Sequence, residues 1–436
     1  MIIPAEKPMR YTCAEGVIYL LGVSRYLNGS GALKILQINS VYGVGSTGRL
    51  TQILHRALLA DGESSKVLYG RGPDAEDPGV IRLCCDLYGK ANSLLSRFTG
   101  IRYGGCMSAT KKAISAIKQE RPDAVHLQCI NGNFVNIYRL VSWLNENNIP
   151  TVITLHAEFI YTANCGHAFE CERWKDGCGQ CPRLYKATKS LLVDRTHESF
   201  LKMQDAFSGF DENLTVVSVS PWLRKRAESS PILTGKKHRV IPNGVNTEIF
   251  CRREAEELRK KHDIADKKVV FHATAMFRDR DGDIKGGAYV LRLAERMKNV
   301  VFVVAGKNDV RGEIPQNIIL LGEIKDPVLL ARYYSMADLT LLTSRRETYS
   351  MVCAESLCCG TPVSGFCAGA PEQISLPEYS SFVPQGDLNA LEDCVRHMLG
   401  RRFDRLQLAE AARMQYSEER MTSEYKALYR EVICGR

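Results

Sequence analysis

The amino-acid sequence predicts an α/β protein built from two doubly wound parallel sheets. From Leu33 onward, short apolar runs alternate with amphipathic stretches, which is the pattern of consecutive βαβ units. The runs form two series, and a chain of 436 residues is long for a single domain. Because ligands bind beyond the carboxyl ends of the strands in such sheets, two sheets facing each other would enclose a functional cleft.

Each series of apolar runs predicts five buried strands. The first series comprises residues 33–39, 66–69, 123–128, 151–156 and 214–220. The second comprises residues 268–275, 300–306, 318–322, 338–344 and 362–366. Between the series, Pro242 and the pair Asn243-Gly244 predict a turn. We therefore place the domain junction just after Val245.

The two series divide the chain into domains. We expect a first Rossmann-like domain over residues 33–245 and a second over residues 246–401. Residues 402–436 form a tail with a helical pattern and no further strand. We expect this tail to pack back on the first domain and tie the two together.

Residues 1–32 precede the first predicted strand and stand apart from this pattern. They contain the apolar run Val17–Val23 after Lys7 and Arg10, which has some features of a signal peptide. The run is short, however, and Arg25 follows almost at once. We interpret residues 1–32 as a disordered or misassigned leader.

The chain has a net charge of +9, with a local excess of basic residues between positions 90 and 118. The excess consists of Lys90, Arg97, Arg102, Lys111, Lys112 and Lys118. It can be interpreted as a solvated face, or as a contact for an anionic partner such as a phosphate-rich substrate or an acidic membrane surface. Basic residues are not interleaved with aromatic ones in a block, so we expect no nucleic-acid partner.

The cysteine content bears on the compartment. Sixteen cysteines is a high count, but several lie in apolar patterns, where cysteine acts as a small buried hydrophobe. These are Cys84, Cys85, Cys353, Cys358 and Cys359. We therefore expect a reducing, cytoplasmic environment. No apolar stretch approaches the 18 or more residues of a transmembrane helix.

A glycine-rich loop over residues 40–49 follows the first predicted strand and precedes a helix. Glycines let the backbone approach a ligand, and N–H groups at a helix N-terminus favour a phosphate, so Gly45, Ser46, Thr47 and Gly48 are candidate contacts. A nicotinamide cofactor would also need an acidic residue about 20 positions on to bind its ribose. The acidic residues fall too early, so this interpretation is disfavoured.

Two cations follow the first strand of the second domain. Arg278 and Lys285 stand just before Gly286, where a helix is predicted to start. At such a place they could neutralise a diphosphate leaving group through charge-assisted hydrogen bonds. An ordinary surface loop would suit the same residues, so both interpretations stay open on spacing alone.

Residues 344–355 carry two glutamates around a predicted helix start near Ser350. The backbone N–H groups of Tyr349, Ser350 and Met351 would point at an anion. Glu347 precedes the helix, whereas Glu355 lies inside it among apolar neighbours. A carboxylate there is costly unless hydrogen bonds satisfy it, and paired ribose hydroxyls would do so.

Together these motifs resemble the retaining glycosyltransferases of family 4, which have the two-domain GT-B fold. Glu347 and Glu355, the strand start Gly360–Val363 and the loop Gly369–Glu372 match the family pattern in order. The resemblance extends over roughly residues 33–432. More narrowly, the chain resembles a branch of bacterial capsule, exopolysaccharide and O-antigen enzymes with a Ser-Thr-Gly-Arg loop and a cysteine-rich insert.

The resemblance implies roles for the candidate residues. Glu355 would bind the ribose hydroxyls, Glu347 the donor sugar, and Arg278 with Lys285 the diphosphate. Residues 45–48 would approach the phosphate or the acceptor from the first domain. The resemblance also places His156, at a strand end, near the transferred sugar.

Two residues depart from the family pattern. The family commonly has an aspartate after the histidine, whereas here Ala157 and then Glu158 follow His156. It also commonly has glycine where Ser350 stands. The hydrogen-bond partner of His156 is therefore not given by the pattern.

The resemblance implies transfer of a hexose or N-acetylhexosamine with retention of configuration. We expect a UDP-sugar as donor, with GDP-mannose second, and a lipid-linked oligosaccharide or polysaccharide as acceptor. No metal ion would be required for this chemistry, and the enzyme would work in the cytoplasm, at the inner face of the plasma membrane. The alternatives are a nucleotide-sugar epimerase or hydrolase on the same fold and a non-catalytic sugar-nucleotide-binding scaffold.

A cysteine-rich insert occupies residues 156–184. Its candidate metal ligands are Cys165, His167, Cys171, Cys178 and Cys181. Thiolates and imidazole at such spacings suit a structural zinc ion. Reduced thiols in a loop and a disulfide or redox pair are the alternatives, since a second Cys-x-x-Cys pair is missing. In each case we expect a structural rather than a catalytic role.

Overall fold

The computed structural model describes residues 32–434 and contains two parallel sheets flanked by helices, which confirms the predicted α/β fold. The first sheet has seven strands in the order β3-β2-β1-β4-β5-β6-β7. Their bounds are β1 Lys34–Asn39, β2 Ser64–Tyr69, β3 Val80–Arg82, β4 Ala124–Leu127, β5 Thr151–Leu155, β6 Leu214–Ser218 and β7 Lys237–Val240. The order reverses direction at β1, so the carboxyl ends of β1 and β4 flank a crevice.

The second sheet has six strands in the order β10-β9-β8-β11-β12-β13, again all parallel. Their bounds are β8 Lys268–Phe277, β9 Val300–Asn308, β10 Ile318–Gly322, β11 Leu339–Leu342, β12 Val363–Phe366 and β13 Ser380–Val383. Its switch point lies between β8 and β11. The loops after these two strands therefore border the place where ligands bind in such sheets.

Helices connect the strands and cover both sheets. In the first half they are α1 Gly45–Ala60, α2 Asp86–Thr99, α3 Met107–Glu120, α4 Ile137–Glu146, α5 Leu184–Thr188, α6 Thr196–Phe207 and α7 Pro221–Glu228. In the second half they are α8 Glu256–Lys261, α9 Gly287–Arg296, α10 Pro327–Met336, α11 Met351–Cys358, α12 Pro371–Ile374 and α13 Leu388–Gly400. The tail forms α14 Arg405–Tyr416 and α15 Glu418–Cys434, and single 3-10 turns span Arg173–Lys175 and Pro377–Tyr379.

The ten predicted strands are all present, with small shifts at their ends, but three further strands were not predicted. These are β3, β7 and β13, and each lies at an edge of its sheet. Their residues are mostly half-buried or exposed, whereas β4 and β5 are buried throughout. Edge strands lack the continuous apolar run by which the central strands of a parallel sheet are recognised.

The tail links the two halves. Helix α14 packs on α11 of the second half, and α15 packs on the first sheet, where Tyr425 and Tyr429 lie in one apolar cluster with residues of β1 and α1. The Tyr429 hydroxyl also lies 2.6 Å from Nδ1 of the buried His126. At the junction, Val245 N–H donates to the Tyr416 carbonyl and Glu418 N–H donates to the Val245 carbonyl. The chain thus crosses between the halves twice at one place.

None of the helices within residues 32–434 combines the length and apolar character needed to cross a bilayer. The interpretation of residues 1–32 as a leader falls almost entirely outside the residues that the structure describes.

Candidate active site

The loop after β11 lies between the two sheets and contacts both halves. Thr348 Oγ1 donates to the carbonyl of His156 at 2.8 Å, and Ser220 Oγ donates to the Thr348 carbonyl at 2.8 Å. The Tyr349 hydroxyl donates to the Asn243 carbonyl. The segment that carries Glu347 is therefore held in place between the two sheets.

Lys285 and Glu347 form an ion pair in this cleft. Nζ of Lys285 lies 2.6 Å from Oε1 of Glu347, and both side chains are only partly exposed. The Glu347 backbone is held by hydrogen bonds with Ala368 and Ala370 of the next loop. The pair therefore brings a positive charge and a carboxylate to one point at the carboxyl ends of β8 and β11.

Gly286 is required by the close approach of two loops. It has a φ of +68°, and a Cβ at this position would lie 2.1 Å from the Thr343 carbonyl oxygen. Only glycine fits this combination of a left-handed backbone and a crowded side. Gly286 therefore serves the packing of the loop that presents Lys285, and α9 begins at the next residue.

Arg278 is held by two carboxylates. Its Nε lies 2.9 Å from Asp309 Oδ2, and its Nη1 lies 3.3 Å from Asp283 Oδ1. Asp283 Oδ2 also accepts from the Lys285 N–H at 3.0 Å. The two predicted cations are thus connected through Asp283, an arrangement that fixes Arg278 before any anion binds.

Helix α11 begins as predicted, with Ser350 as its N-cap. The Ser350 side chain accepts from the Cys353 N–H, and no acceptor within residues 32–434 binds the N–H of Ser350 or Met351. Ser350 has a φ of +87°, a left-handed conformation that favours glycine. This backbone suits the glycine that the family pattern leads one to expect here, and the serine side chain adds a cap to the helix.

Glu355 lies on α11 with one protein partner. The Tyr334 hydroxyl donates to Oε2 at 3.1 Å, and burial raises the pKa of Glu355 to about 7. The carboxylate is therefore only partly ionised near neutral pH and still has unused acceptor positions. A ligand with neighbouring hydroxyl groups would stabilise the ionised form.

Arg49 faces Glu355 from the first half and was not predicted as a site residue. Its positive charge lowers the pKa of Glu355, although burial outweighs that effect. The side chain is exposed, and it makes no hydrogen bond or ion pair within the described residues. Its place in the Ser-Thr-Gly-Arg loop was the only signal in the sequence.

The preceding residues of this loop have different roles. Gly45 opens α1 with a φ of +65° and free space where a side chain would be. Gly48 packs against its own loop, because a Cβ would lie 3.1 Å from the Val41 side chain and 3.3 Å from the Gly43 nitrogen. Ser46 is exposed and Thr47 half-buried beside them. Of these four residues, those at the start of α1 are thus open to a ligand, whereas Gly48 is not.

His156 lies at the end of β5, where it approaches Gln128. Its Nε2 is 3.4 Å from Gln128 Oε1, and burial lowers the pKa of His156 to about 4. The imidazole is therefore neutral at pH 7, able to donate or accept one hydrogen bond. Glu158 does not contact it but binds Arg226 and the Ala168 N–H, which anchors the insert.

The structure separates the predicted metal ligands into two groups. Cys165, Cys171, Cys178 and Cys181 line one cavity of about 20 Å³, and burial raises the pKa of Cys165 and Cys178 to about 12. His167 does not line this cavity. Across residues 32–434, no three His, Cys, Asp or Glu side chains are arranged to hold a metal ion.

His167 instead faces the ion pair of the cleft. The charges of Glu347 and Lys285 both act on its pKa, which burial lowers most. Its ring stacks at an angle on Phe169, with centroids 6.0 Å apart. The insert therefore borders the candidate active site.

Two family models match this chain, one on each half. Residues 47–249 match the family model described as Glycosyltransferase Family 4, and residues 267–401 match that described as Glycosyl transferases group 1. WcaC of Escherichia coli, assigned to colanic acid biosynthesis as a glycosyl transferase, is 23% identical over 430 residues, covering 92% of this chain and all of WcaC.

Solved structures share the fold at low sequence identity. Sucrose-phosphate synthase from Thermosynechococcus elongatus superposes with a TM-score of 0.65 at 17% identity, covering 92% of this chain and 99% of that one. HepE from Anabaena, solved in complex with UDP-glucose, gives a TM-score of 0.57 at 15% identity, with 91% and 99% covered.

The two facing sheets and both family matches define this chain as a glycosyltransferase with the GT-B fold. The matched segments lie on the two halves of the molecule, one on each sheet. The two matches together support a glycosyltransferase of family 4, in agreement with the order of its motifs.

Proposed function

We propose that this chain transfers a hexose or N-acetylhexosamine from a nucleotide-sugar, with a UDP-sugar favoured over GDP-mannose, to a lipid-linked glycan acceptor, with retention. The observation that carries the proposal is the position of Glu355 in the cleft, with spare acceptor capacity and Arg49 opposite. The complex of HepE with UDP-glucose supports the donor class, and the assignment of WcaC supports a role in polysaccharide synthesis.

The charged groups suit a leaving diphosphate. The donor ribose would bind Glu355, and its diphosphate would lie between Lys285, Arg278 and the free N–H groups at the start of α11. Negative charge develops on the diphosphate as the glycosidic bond breaks, and fixed cations stabilise it there. In a front-face mechanism, the acceptor hydroxyl would give its proton to the departing diphosphate oxygen.

The neutral groups suit the sugar. His156 is uncharged at pH 7 and would donate or accept a hydrogen bond at a sugar hydroxyl. Glu347 would contact the donor sugar while its ion pair with Lys285 holds the carboxylate in place. Closure of the two halves would exclude water and limit hydrolysis of the donor.

A binding screen tests the donor proposal. The purified chain is titrated calorimetrically with UDP-glucose, UDP-N-acetylglucosamine, GDP-mannose and ADP-glucose. We expect one UDP-sugar to bind at least about tenfold more tightly than the others, a difference of about 1.4 kcal/mol. If none bound, the proposal would be wrong.

The same samples, incubated without acceptor, separate the alternatives. A transferase should leave most of the donor intact. Rapid conversion of the donor to free sugar or to an epimer would identify a hydrolase or an epimerase instead.

A structural zinc ion in the insert stays a prediction. Four thiols around one small cavity have the right donor chemistry, but they would have to move closer and lose their protons to bind the ion. We expect about one equivalent of zinc in the purified chain, reduced in Cys178→Ser/Cys181→Ser and retained in the control Cys367→Ser. Less than about half an equivalent in the unmodified chain would contradict it.

A further inference from the structure

Helix α2 presents its apolar side chains to solvent. Leu87, Leu94, Leu95 and Phe98 are each between 51% and 74% exposed, and the helix has no buried residue. Their spacing of seven, eight and eleven positions places them on one face. A helix that covers a globular core normally shows the opposite arrangement, with its apolar face inward.

Polar contacts fix the rotation of this helix. Its inner side carries Tyr88 and Asn92, which contact the start of α3. The Asn92 side-chain oxygen accepts from the Cys106 N–H at 2.8 Å, and the Tyr88 hydroxyl accepts from Ser108 Oγ at 2.9 Å. The outward apolar face is therefore built into the structure.

A second apolar segment continues this face. Leu191, Leu192 and Val193 are between 42% and 74% exposed. The Leu191 N–H donates to the Arg97 carbonyl at 3.0 Å, so this segment adjoins the end of α2. The two segments form what we call the apolar ridge: Leu87, Leu94, Leu95, Phe98, Leu191, Leu192 and Val193.

The apolar ridge is surrounded by lysine side chains whose positive charges have no acidic partner within residues 32–434. Lys90, Lys186 and Lys189 are exposed, and none of their side chains forms an ion pair or a hydrogen bond in the described part of the chain. The acidic residues nearby are already engaged, since Asp86 binds Arg82 and Asp194 caps the start of α6. The basic residues between positions 90 and 118 do not form one face, however, because they are spread over two helices and the loop between them.

Free lysines among projecting apolar side chains match the interface of an anionic bilayer. Such a surface attracts the cations, while the apolar side chains enter the boundary between head groups and acyl chains. A protein partner would have to supply a matching apolar groove and acidic groups. An anionic bilayer supplies an apolar layer and acidic head groups without needing a complementary shape.

The ridge also adjoins the edge of the first sheet at which the strands end. A cavity of about 690 Å³ lies between α2 and the loops that follow β1 and β4 at this edge. Lys90 and Leu94 line it on one side, and Val41, Gly132 and Asn133 line it on the other. An acceptor held in a bilayer under the ridge would have a short path to this cavity.

We propose that the apolar ridge inserts into the interfacial region of a bilayer that contains anionic lipids. The inference goes beyond the proposed function, because bilayer binding requires no sugar transfer and can be measured separately from it.

Vesicle co-sedimentation of the full chain tests the proposal. One set of vesicles contains phosphatidylcholine alone, and the other contains 30% phosphatidylglycerol. We expect binding at least about tenfold tighter to the anionic vesicles, weakening as salt rises from 0.05 to 0.5 M. Leu95→Ser/Phe98→Ser should weaken that binding at least about tenfold, with unchanged donor affinity.

A matched control uses two apolar side chains elsewhere that are more exposed than Leu95 and Phe98. Leu406 and Met414 on α14 are 70% and 76% exposed, so Leu406→Ser/Met414→Ser should bind vesicles like the unmodified chain. The proposal is overturned if the chain binds neither vesicle type, or if the control variant loses as much binding as the ridge variant. Binding that survives in the ridge variant would place the membrane contact elsewhere, for example at residues 17–23. A dimer in solution that only the ridge variant abolishes, without vesicle binding, would make the ridge a contact between copies of the chain.

Discussion

Glu355→Ala should abolish measurable donor binding while the protein stays folded. Two charged hydrogen bonds to ribose hydroxyls would be lost, which corresponds to at least about a 100-fold increase in Kd. Calorimetric titration with the donor found in the binding screen measures this effect. Glu378→Ala, which removes a carboxylate from the 3-10 turn of residues 377–379, provides the control and should bind donor normally.

The raised pKa of Glu355 gives this experiment a second readout. The folded protein holds the proton more tightly than the unfolded chain, because the pKa rises from 4.5 to about 7 on burial. This carboxyl therefore lowers stability as the pH increases from about 4.5 to about 7, by at most about 3 kcal/mol. Glu355→Gln should lack this loss, so its free energy of unfolding should exceed that of the unmodified chain at pH 8 and match it at pH 4.

Donor affinity should show the opposite dependence on pH. The ribose hydroxyls bind the ionised carboxylate, so the affinity of the unmodified chain should rise as the pH passes through about 7. If Glu355→Gln retained full affinity, the assignment of Glu355 to the ribose would be wrong. If its stability followed pH like that of the unmodified chain, Glu355 would not have the raised pKa.

Lys285→Ala should slow transfer by about 100-fold to 1,000-fold, with a smaller effect on donor affinity. The ammonium group would act mainly on charge that develops in the transition state, and loss of one such group typically has this size. Single-turnover measurements with saturating donor separate the rate from binding. Lys307→Ala removes a longer and more exposed ion pair, that with Glu323 just after β10, and should leave the rate unchanged.

The ion pair between Lys285 and Glu347 predicts coupling between the two sites. Lys285→Ala leaves the Glu347 carboxylate without its partner at 2.6 Å. The double variant with Glu347→Gln should therefore lose less activity than the product of the two single losses. An unaltered rate in Lys285→Ala would remove this lysine from the reaction.

Much of the fold follows from short-range patterns in the sequence. Nine of the ten predicted strands are central, and burial of both faces produces continuous apolar runs such as residues 151–155. The tenth, β10, lies at an edge but still has an apolar run. The edge strands β3, β7 and β13 are partly exposed, and their pairing depends on neighbours that a local pattern does not contain. The fold class did not depend on them.

The candidate site was predictable where one segment contains the whole signal. The spacing of Glu347 and Glu355 around a helix start needs only residues 344–355. The contribution of Arg49 could not be predicted in the same way, because it depends on how the two sheets face each other. The same holds for His167, which the local pattern grouped with the cysteines and the tertiary structure places beside Glu347.

The double crossing at Val245 and Ser417 limits how the two halves can move. A single connecting segment would leave the two halves free to rotate about it, whereas two segments paired side by side restrict that rotation. We therefore expect any opening and closing of the cleft to follow a restricted path, which would keep Arg49 in register with Glu355.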